Sequence, residues 1–315
     1  MKRFVTYLLM VLLSVLVSCT RRPLTTADYA VTVNLTIEKE IVNYEYTKDP
    51  SLMRCIFYDS ETGAFVTQAF LPPTGGDVSL IPARTYDVLV YNFDTESTWL
   101  EQENWFHTIY ASTSLIPDSF KTKLRSRASK ADEEQIVYDP DHLFVGRLHD
   151  VFIPSRGVEA PKVVLDINCK TVVESWVLDV SIITGVKNIG SMAAVVTGLA
   201  GSNMISFNQR SEDIVSVFFD NQTIDENGVL TARFNTFGKN MDIPEPQVLS
   251  LVFTDVAGKG HVFNIDVTDQ FIDNPEQIIR ISTEIDIPEP MTGGSGGGFV
   301  PKVDEWDEIN TDIII

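Results

Sequence analysis

Apart from its carboxylates, this 315-residue chain carries few groups that could do chemistry: four His and three Cys stand beside 44 Asp and Glu. His142 and His149 lie in DPDHLFVGRLHD, where Asp139 and Asp141 could join them around a metal, because imidazole and carboxylate are ordinary metal ligands. Neither a helix nor a strand would bring that spacing onto one face, so the pattern predicts satisfied or solvated histidines. The run DNQTIDENG (220–228) offers several oxygen ligands, but its spacing departs from a calcium loop and reads as a hairpin turn. One GxSxG occurs, Gly293-Gly294-Ser295-Gly296-Gly297. It lies in a glycine-rich spacer without the strand-to-helix elbow that exposes a serine nucleophile. No HExxH, P-loop or dinucleotide fingerprint is present, so the reading is of a non-enzymatic protein needing no metal and no cofactor.

The N-terminus carries a different chemistry. MKRFVTYLLMVLLSVLVSCTRR begins with Lys2 and Arg3, runs apolar from Phe4 to Val17 and ends Leu16-Val17-Ser18-Cys19, which is the pattern of a signal peptide over residues 1–18. An apolar run of this length makes a helix of about 21 Å, short of a hydrocarbon core of about 30 Å. The tetrad LVSC resembles a bacterial lipobox. That resemblance implies cleavage between Ser18 and Cys19, and lipid on the Cys19 sulfur. A single acyl chain binds a membrane only marginally, whereas two or three hold firmly, so a lipidated Cys19 is a stable tether. Residues 19–27 then form a short membrane-proximal leader, and Thr20, not Asp, follows the cysteine.

With 24 Lys and Arg the formal net charge is -20, and loss of Lys2 and Arg3 with the signal leaves -22. Such a balance points away from nucleic acid and from a polybasic membrane patch. Lys121, Lys123, Arg125, Arg127 and Lys130 are concentrated in KTKLRSRASK, which reads as a solvated loop. Cys55 and Cys169 fall in different expected domains, so two buried free thiols are expected rather than a bridge.

The elements that must hold these residues are strands. YAVTVNLTI (29–37) puts Val31, Val33, Leu35 and Ile37 on one side and Thr32, Asn34 and Thr36 on the other, the period of a half-buried strand. Further strands are expected at 53–59, 64–70, 85–93 and 142–153, making a first domain over 28–153. After the Pro- and Gly-bearing joint IPSRGVEAPK the pattern restarts. Strands at 163–167, 171–183, 204–207, 213–219, 228–237, 247–253, 261–267 and 277–287 make a second domain over 160–290. The stretch 97–114 fits a short helix or a packed loop. The length suits about two domains, and short strands with turn chemistry between them predict an all-β fold of two tandem Greek-key sandwiches.

Residues 291–315 differ. MTGGSGGG is a flexible spacer, and FVPKVDEWDEINTDIII after it is an acidic segment ending in three isoleucines. Such a strand either docks on its own sheet or is donated to another subunit, adding main-chain hydrogen bonds and side-chain anchors. If donated, its anchoring side chains are Phe299, Val303, Trp306, Ile309 and Ile313.

The motifs CTRRPL, VLVYNFDTEST, DHLFVGR, AAVVTGLAGSNMISF and GGGFVPKVDEW resemble those of the fimbrillin-like lipoproteins of Bacteroidota, in the branch grouped with fimbrial anchor proteins. The likeness spans nearly the whole mature chain. It implies transthyretin-like sandwiches and lipid anchoring at the outer membrane, facing the cell surface. Its implied partners are pilin or fimbrillin subunits, joined by strand addition. Stalk subunits of such a family are cut after an Arg that follows the first strand. Here residues 38–49 hold Lys39 and Lys48 but no Arg, which favours an uncut anchor. The rival class is a surface glycan-binding lipoprotein, with Trp99, Trp105 and Trp176 as candidate contacts. A hydrolase with paired carboxylates is a third class, and no recognisable motif supports it.

Overall fold

The computed structural model describes residues 29–43, 49–117, 134–155, 162–290 and, as backbone, 309–313. In chain order the strands are β1 (Tyr29–Ile37), β2 (Met53–Asp59), β3 (Phe65–Leu71), β4 (Gly75–Leu80), β5 (Arg84–Asn92) and β6 (Thr98–Glu101). Next come β7 (Tyr110–Thr113), β8 (Gln135–Tyr138), β9 (Phe144–Ile153), β10 (Val163–Thr171), β11 (Glu174–Val180) and β12 (Ile183–Thr184). They are followed by β13 (Ile189–Ala200), β14 (Ser202–Met204), β15 (Gln209–Arg210), β16 (Ile214–Phe219), β17 (Gln222–Ile224) and β18 (Leu230–Thr236). The last are β19 (Val248–Asp255), β20 (Gly260–Asp266), β21 (Ile278–Ile281), β22 (Ile285–Asp286) and β23 (Ile309–Ile313). The fold is all-β, as the alternating patterns predict.

The first sheet has the order β3-β2-β5-β9-β10-β1-β4. Its outermost strands, β3 and β4, are consecutive in the chain, and the link from Leu71 to Gly75 can span at most about 14 Å. Seven flat strands would be about 29 Å across, so the sheet must curl until its edges approach. The curl encloses a core of Val31 and Val33 from β1, Cys55 and Phe57 from β2, Val88 and Val90 from β5, and Leu165, Ile167 and Cys169 from β10. β9 and β10 come close at Gly146, where a Cβ would lie 2.4 Å from Ile167 Cγ2 and 2.9 Å from Cys169 Sγ.

The second unit stacks a four-stranded sheet, β17-β18-β11-β21, on a six-stranded one, β23-β20-β19-β13-β16-β8. Trp176, Leu178, Leu230, Phe234, Ile279 and Ile281 face Val196, Val217, Phe219, Leu251, Phe253, Phe263 and Ile265 across the interior. β13 bends midway, with a register shift between Val196 and Leu199 and a positive φ of 76° at Gly198, as a β-bulge requires.

Four expectations need correction. β10, placed at the start of the second domain, instead pairs with β9 and runs parallel to β1 inside the first sheet. The joint at 154–162 therefore joins two strands of one sheet, because Leu165, Ile167 and Cys169 belong with the first core. β8, from the stretch given to the first domain, runs parallel to β16 as part of the second unit's sheet. Residues 97–114 hold a packed loop at 102–109, with Phe106 and Ile109 buried, but it is flanked by the unforeseen pair β6 and β7, which with β14 and β15 makes a small sheet between the units. Ile56, Tyr58, Leu89 and Tyr91 on the outer face of the first sheet pack there with Phe106, Ile109, Val173, Ala200, Ile205 and Phe237. Cys55 and Cys169 are free and share one core rather than lying in two.

Candidate subunit-docking strands

Two strands bear on main-chain pairing with another subunit: one that could be given, and one whose loss would open a groove. The first is β23. It lies parallel to β20 at the end of the six-stranded sheet, with Ile309 in register with His261 and Ile313 with Ile265. In the single chain the segment thus closes its own second sheet. Phe299, Val303 and Trp306 lie outside the described residues, as do Ser18, Cys19 and the GxSxG stretch.

β20 is a fixed seat. All of Gly260–Ile265 is buried; Phe263 and Ile265 enter the inter-sheet core and Val262 packs on the other face with Ile116, Ile136 and Val252. On that face Ser250 Oγ donates to Asn264 Oδ1 at 2.9 Å. At its start, His261 Nε2 sits 3.2 Å from Asp255 Oδ2, and Asp255 Oδ1 accepts the Ala257 and Lys259 N–H groups at 2.9 Å. Burial pushes the Asp255 carboxyl up, but the Lys259, His261 and Ala257 hydrogen bonds outweigh it and hold its pKa below the ordinary carboxylate value. The β19–β20 turn therefore keeps its charge and its shape.

The second is β1. It alternates buried Tyr29, Val31, Val33 and Leu35 with more exposed neighbours and is flanked on both sides, by β10 in parallel and β4 in antiparallel. Directly after it, the Glu38 N–H donates to Cys169 O at 2.9 Å, the Glu38 carboxylate pairs with Lys170 at 2.9 Å and Lys39 pairs with Asp49 at 2.6 Å. Without β1, β10 and β4 would each lose a ladder, and the first core one wall.

The residues singled out for chemistry are dispersed. His142 is buried, with Nδ1 2.8 Å from Thr171 Oγ1 and Nε2 2.7 Å from Ser175 Oγ. His149 is half-exposed, 3.6 Å from Asp87. Asp141 Oδ2 accepts the Glu96 and Ser97 N–H groups at 2.6 and 2.5 Å. Among the described residues no three of His, Cys, Asp and Glu are grouped to hold a metal ion. Residues 220–228 contain β17 and a turn in which Asp225 Oδ1 accepts from Asn227 and Val229, leading antiparallel into β18. Of the tryptophans, Trp99 and Trp105 are exposed and Trp176 is in the core.

The model of a family described as a domain of unknown function, DUF5119, matches residues 18–220. In sequence the chain is similar to a Bacteroides ovatus protein named "Putative fimbrium anchoring subunit Fim4B", 26% identical over 337 aligned positions that cover 95% of each chain. In fold it is similar to the crystal structure of a "putative adhesin" from Bacteroides ovatus, with TM-score 0.64 and 21% identity over 87% of this chain and 98% of that one. It also aligns with the fimbrial anchor protein Mfa2 from Porphyromonas gingivalis at TM-score 0.50 and 11% identity, over 80% of this chain and 88% of that one. At such identities the two structures speak to the fold alone.

Proposed function

The chain belongs to the DUF5119 family, whose model covers more than half of it, and from that premise we propose that it is a non-enzymatic fimbrium anchor. In this reading residues 1–18 are removed as a signal, Cys19 carries the lipid at the outer membrane, and residues 19–27 hold the first sandwich close to it. Pilin subunits join by strand addition. The observation that carries the proposal is the similarity to Fim4B over 95% of each chain. Two features support it. No Arg occurs in residues 38–49, so β1 has no cutting site of the kind that would release it. β23, separated from the second unit by the glycine-rich spacer, supplies a strand on β20.

The test is direct. Cells fed an alkynyl palmitate should label the protein, and Cys19→Ser should abolish both the label and its recovery with outer membranes. Purified gently from those membranes, the wild-type protein should bring pilin subunits with it. Label on the Cys19→Ser variant, or recovery without any pilin, would sink the proposal. Deleting residues 291–315 tests the donated strand separately: pilin recovery at the wild-type level would leave the anchor and remove the strand.

A further inference from the structure

A different site lies on the outer face of the first sheet, on β2 and β3. The β2 register puts Arg54 opposite Phe70 of β3 and opposite Tyr91 of β5, and Phe93 follows directly after β5, its N–H donating to Leu52 O at 3.0 Å. The Arg54 guanidinium carbon is 5.3 Å from the centre of the Phe93 ring and 5.9 Å from those of Phe70 and Tyr91. The two phenyl rings are 5.6 Å apart and tilted by 58°. Both are open to solvent, Phe70 at 50% and Phe93 at 48%. The guanidinium beneath them is fixed: Nε donates to Gln68 Oε1 at 2.8 Å and Nη1 to Glu103 Oε1, which also accepts from the Tyr91 hydroxyl. Among the described residues, Arg54 Nη2 and Glu103 Oε2 have no hydrogen-bond partner.

This combination is chemically specific. Two half-exposed rings offer an apolar platform, and beside it a rigid ion pair leaves the Nη2 amino group to donate and the Oε2 oxygen to accept. A pyranose presents the complementary set: an apolar C–H face to lie on the rings, and adjacent hydroxyls, one to accept from the guanidinium and one to donate to the carboxylate. With the ion pair close to neutral and the chain at -20, an anionic sugar would be repelled. Trp99 is differently placed, since its indole N–H is already given to Ser114 Oγ at 2.6 Å. We infer that Phe70, Phe93, Arg54 and Glu103 form a binding site for a neutral saccharide, independent of how the protein is anchored.

The test presents the intact protein to an array of oligosaccharides ending in glucose, galactose, mannose or N-acetylglucosamine, together with sialylated counterparts, and then titrates the strongest ligand by NMR. Neutral glycans should bind. Phe70→Ala and Phe93→Ala should each weaken binding about tenfold or more, the double variant should abolish it, and Glu103→Gln should weaken it while the NMR spectrum without ligand stays that of a folded protein. Trp99→Ala and Trp105→Ala should change nothing. The inference falls if no neutral glycan binds, if only sialylated ones do, if binding survives the double variant, or if it follows Trp99 or Trp105. It falls equally if the platform variants lose capture of a pilin with no sugar bound, since the rings would then be a protein contact.

Discussion

Burial acts in opposite directions on two side chains three residues apart. It pushes the His142 imidazole down to about 4, against the raising effects of Asn235 and Asp141, and the Asp139 carboxyl up to about 6, helped by Asp141 and Asp220. For His142 the unfolded chain takes the proton first, so acidification from pH 6.5 towards 4 costs stability. For Asp139 the folded chain takes it first, so acidification from pH 6 towards 3.8 adds stability. The two windows overlap and their contributions oppose. Asp139→Asn should therefore stand about 3 kcal/mol above wild type at pH 7, and thermal melts should show that margin falling below about 1 kcal/mol by pH 4. A margin independent of pH would contradict the burial argument. At Gly146 the close approach of Ile167 and Cys169 leaves no room for a methyl group, and Gly146→Ala should lose about 1–3 kcal/mol in chemical denaturation. At this scale the sequence shows which residue types are present and how they are spaced, but not which of them meet in space. The Arg54 platform could not be read from it. Its members come from two paired strands, β2 and β3, and from the segments that follow β5 and β6, and pairing register is not encoded in any one strand's pattern.

Strand edges show how each sheet ends. On the six-stranded sheet β23 covers β20, while residues 114–116 line β8 through the Tyr138 N–H to Ser114 O at 2.9 Å and the Ile116 N–H to Ile136 O at 3.1 Å. On the four-stranded sheet a side chain does this work: Gln270 Oε1 accepts the Arg280 N–H at 2.7 Å and its Nε2 donates to Arg280 O at 3.1 Å. Gln270→Ala should uncover that edge, costing up to about 1 kcal/mol and increasing self-association on size-exclusion chromatography, because an unpaired edge is a template for another strand. Removing residues 291–315 should speed amide hydrogen exchange across His261–Ile265 and leave Val195 and Val196 in the centre of the sheet protected. Equal protection of β20 in both forms would mean that β23 is not seated there in solution. Most strands were legible because one face is buried and the other wet, as in β1 and β18. β13 was not. Its second half, AVVTGLA, is buried on both faces, so no alternation survives, and its Ala and Gly residues carry little strand signal.

The two units share a core, and the chain passes between them more than once. β8 serves the second sheet and β10 the first, while Val172, Val173, Ala200, Ile205 and Phe237 bury themselves against the outer face of β2 and β5. Unfolding should accordingly be one transition, with calorimetric and van't Hoff enthalpies in agreement, and a fragment of residues 160–290 should give no sharp melt. Two separate transitions, or a cooperative fragment, would refute the shared core. The boundary was hidden from the sequence because a Pro and Gly joint looks the same whether it links two domains or two neighbouring strands of one sheet. β1 has a mechanical consequence. Tension drawn from its N-terminal end acts along the strand axis, and the strand is held on both sides over most of its length, by seven residue pairs with β10 and six with β4. Such a pull shears both ladders at once instead of unzipping one pair at a time, so the end of the chain that enters the fold first is also the one hardest to drag out of it.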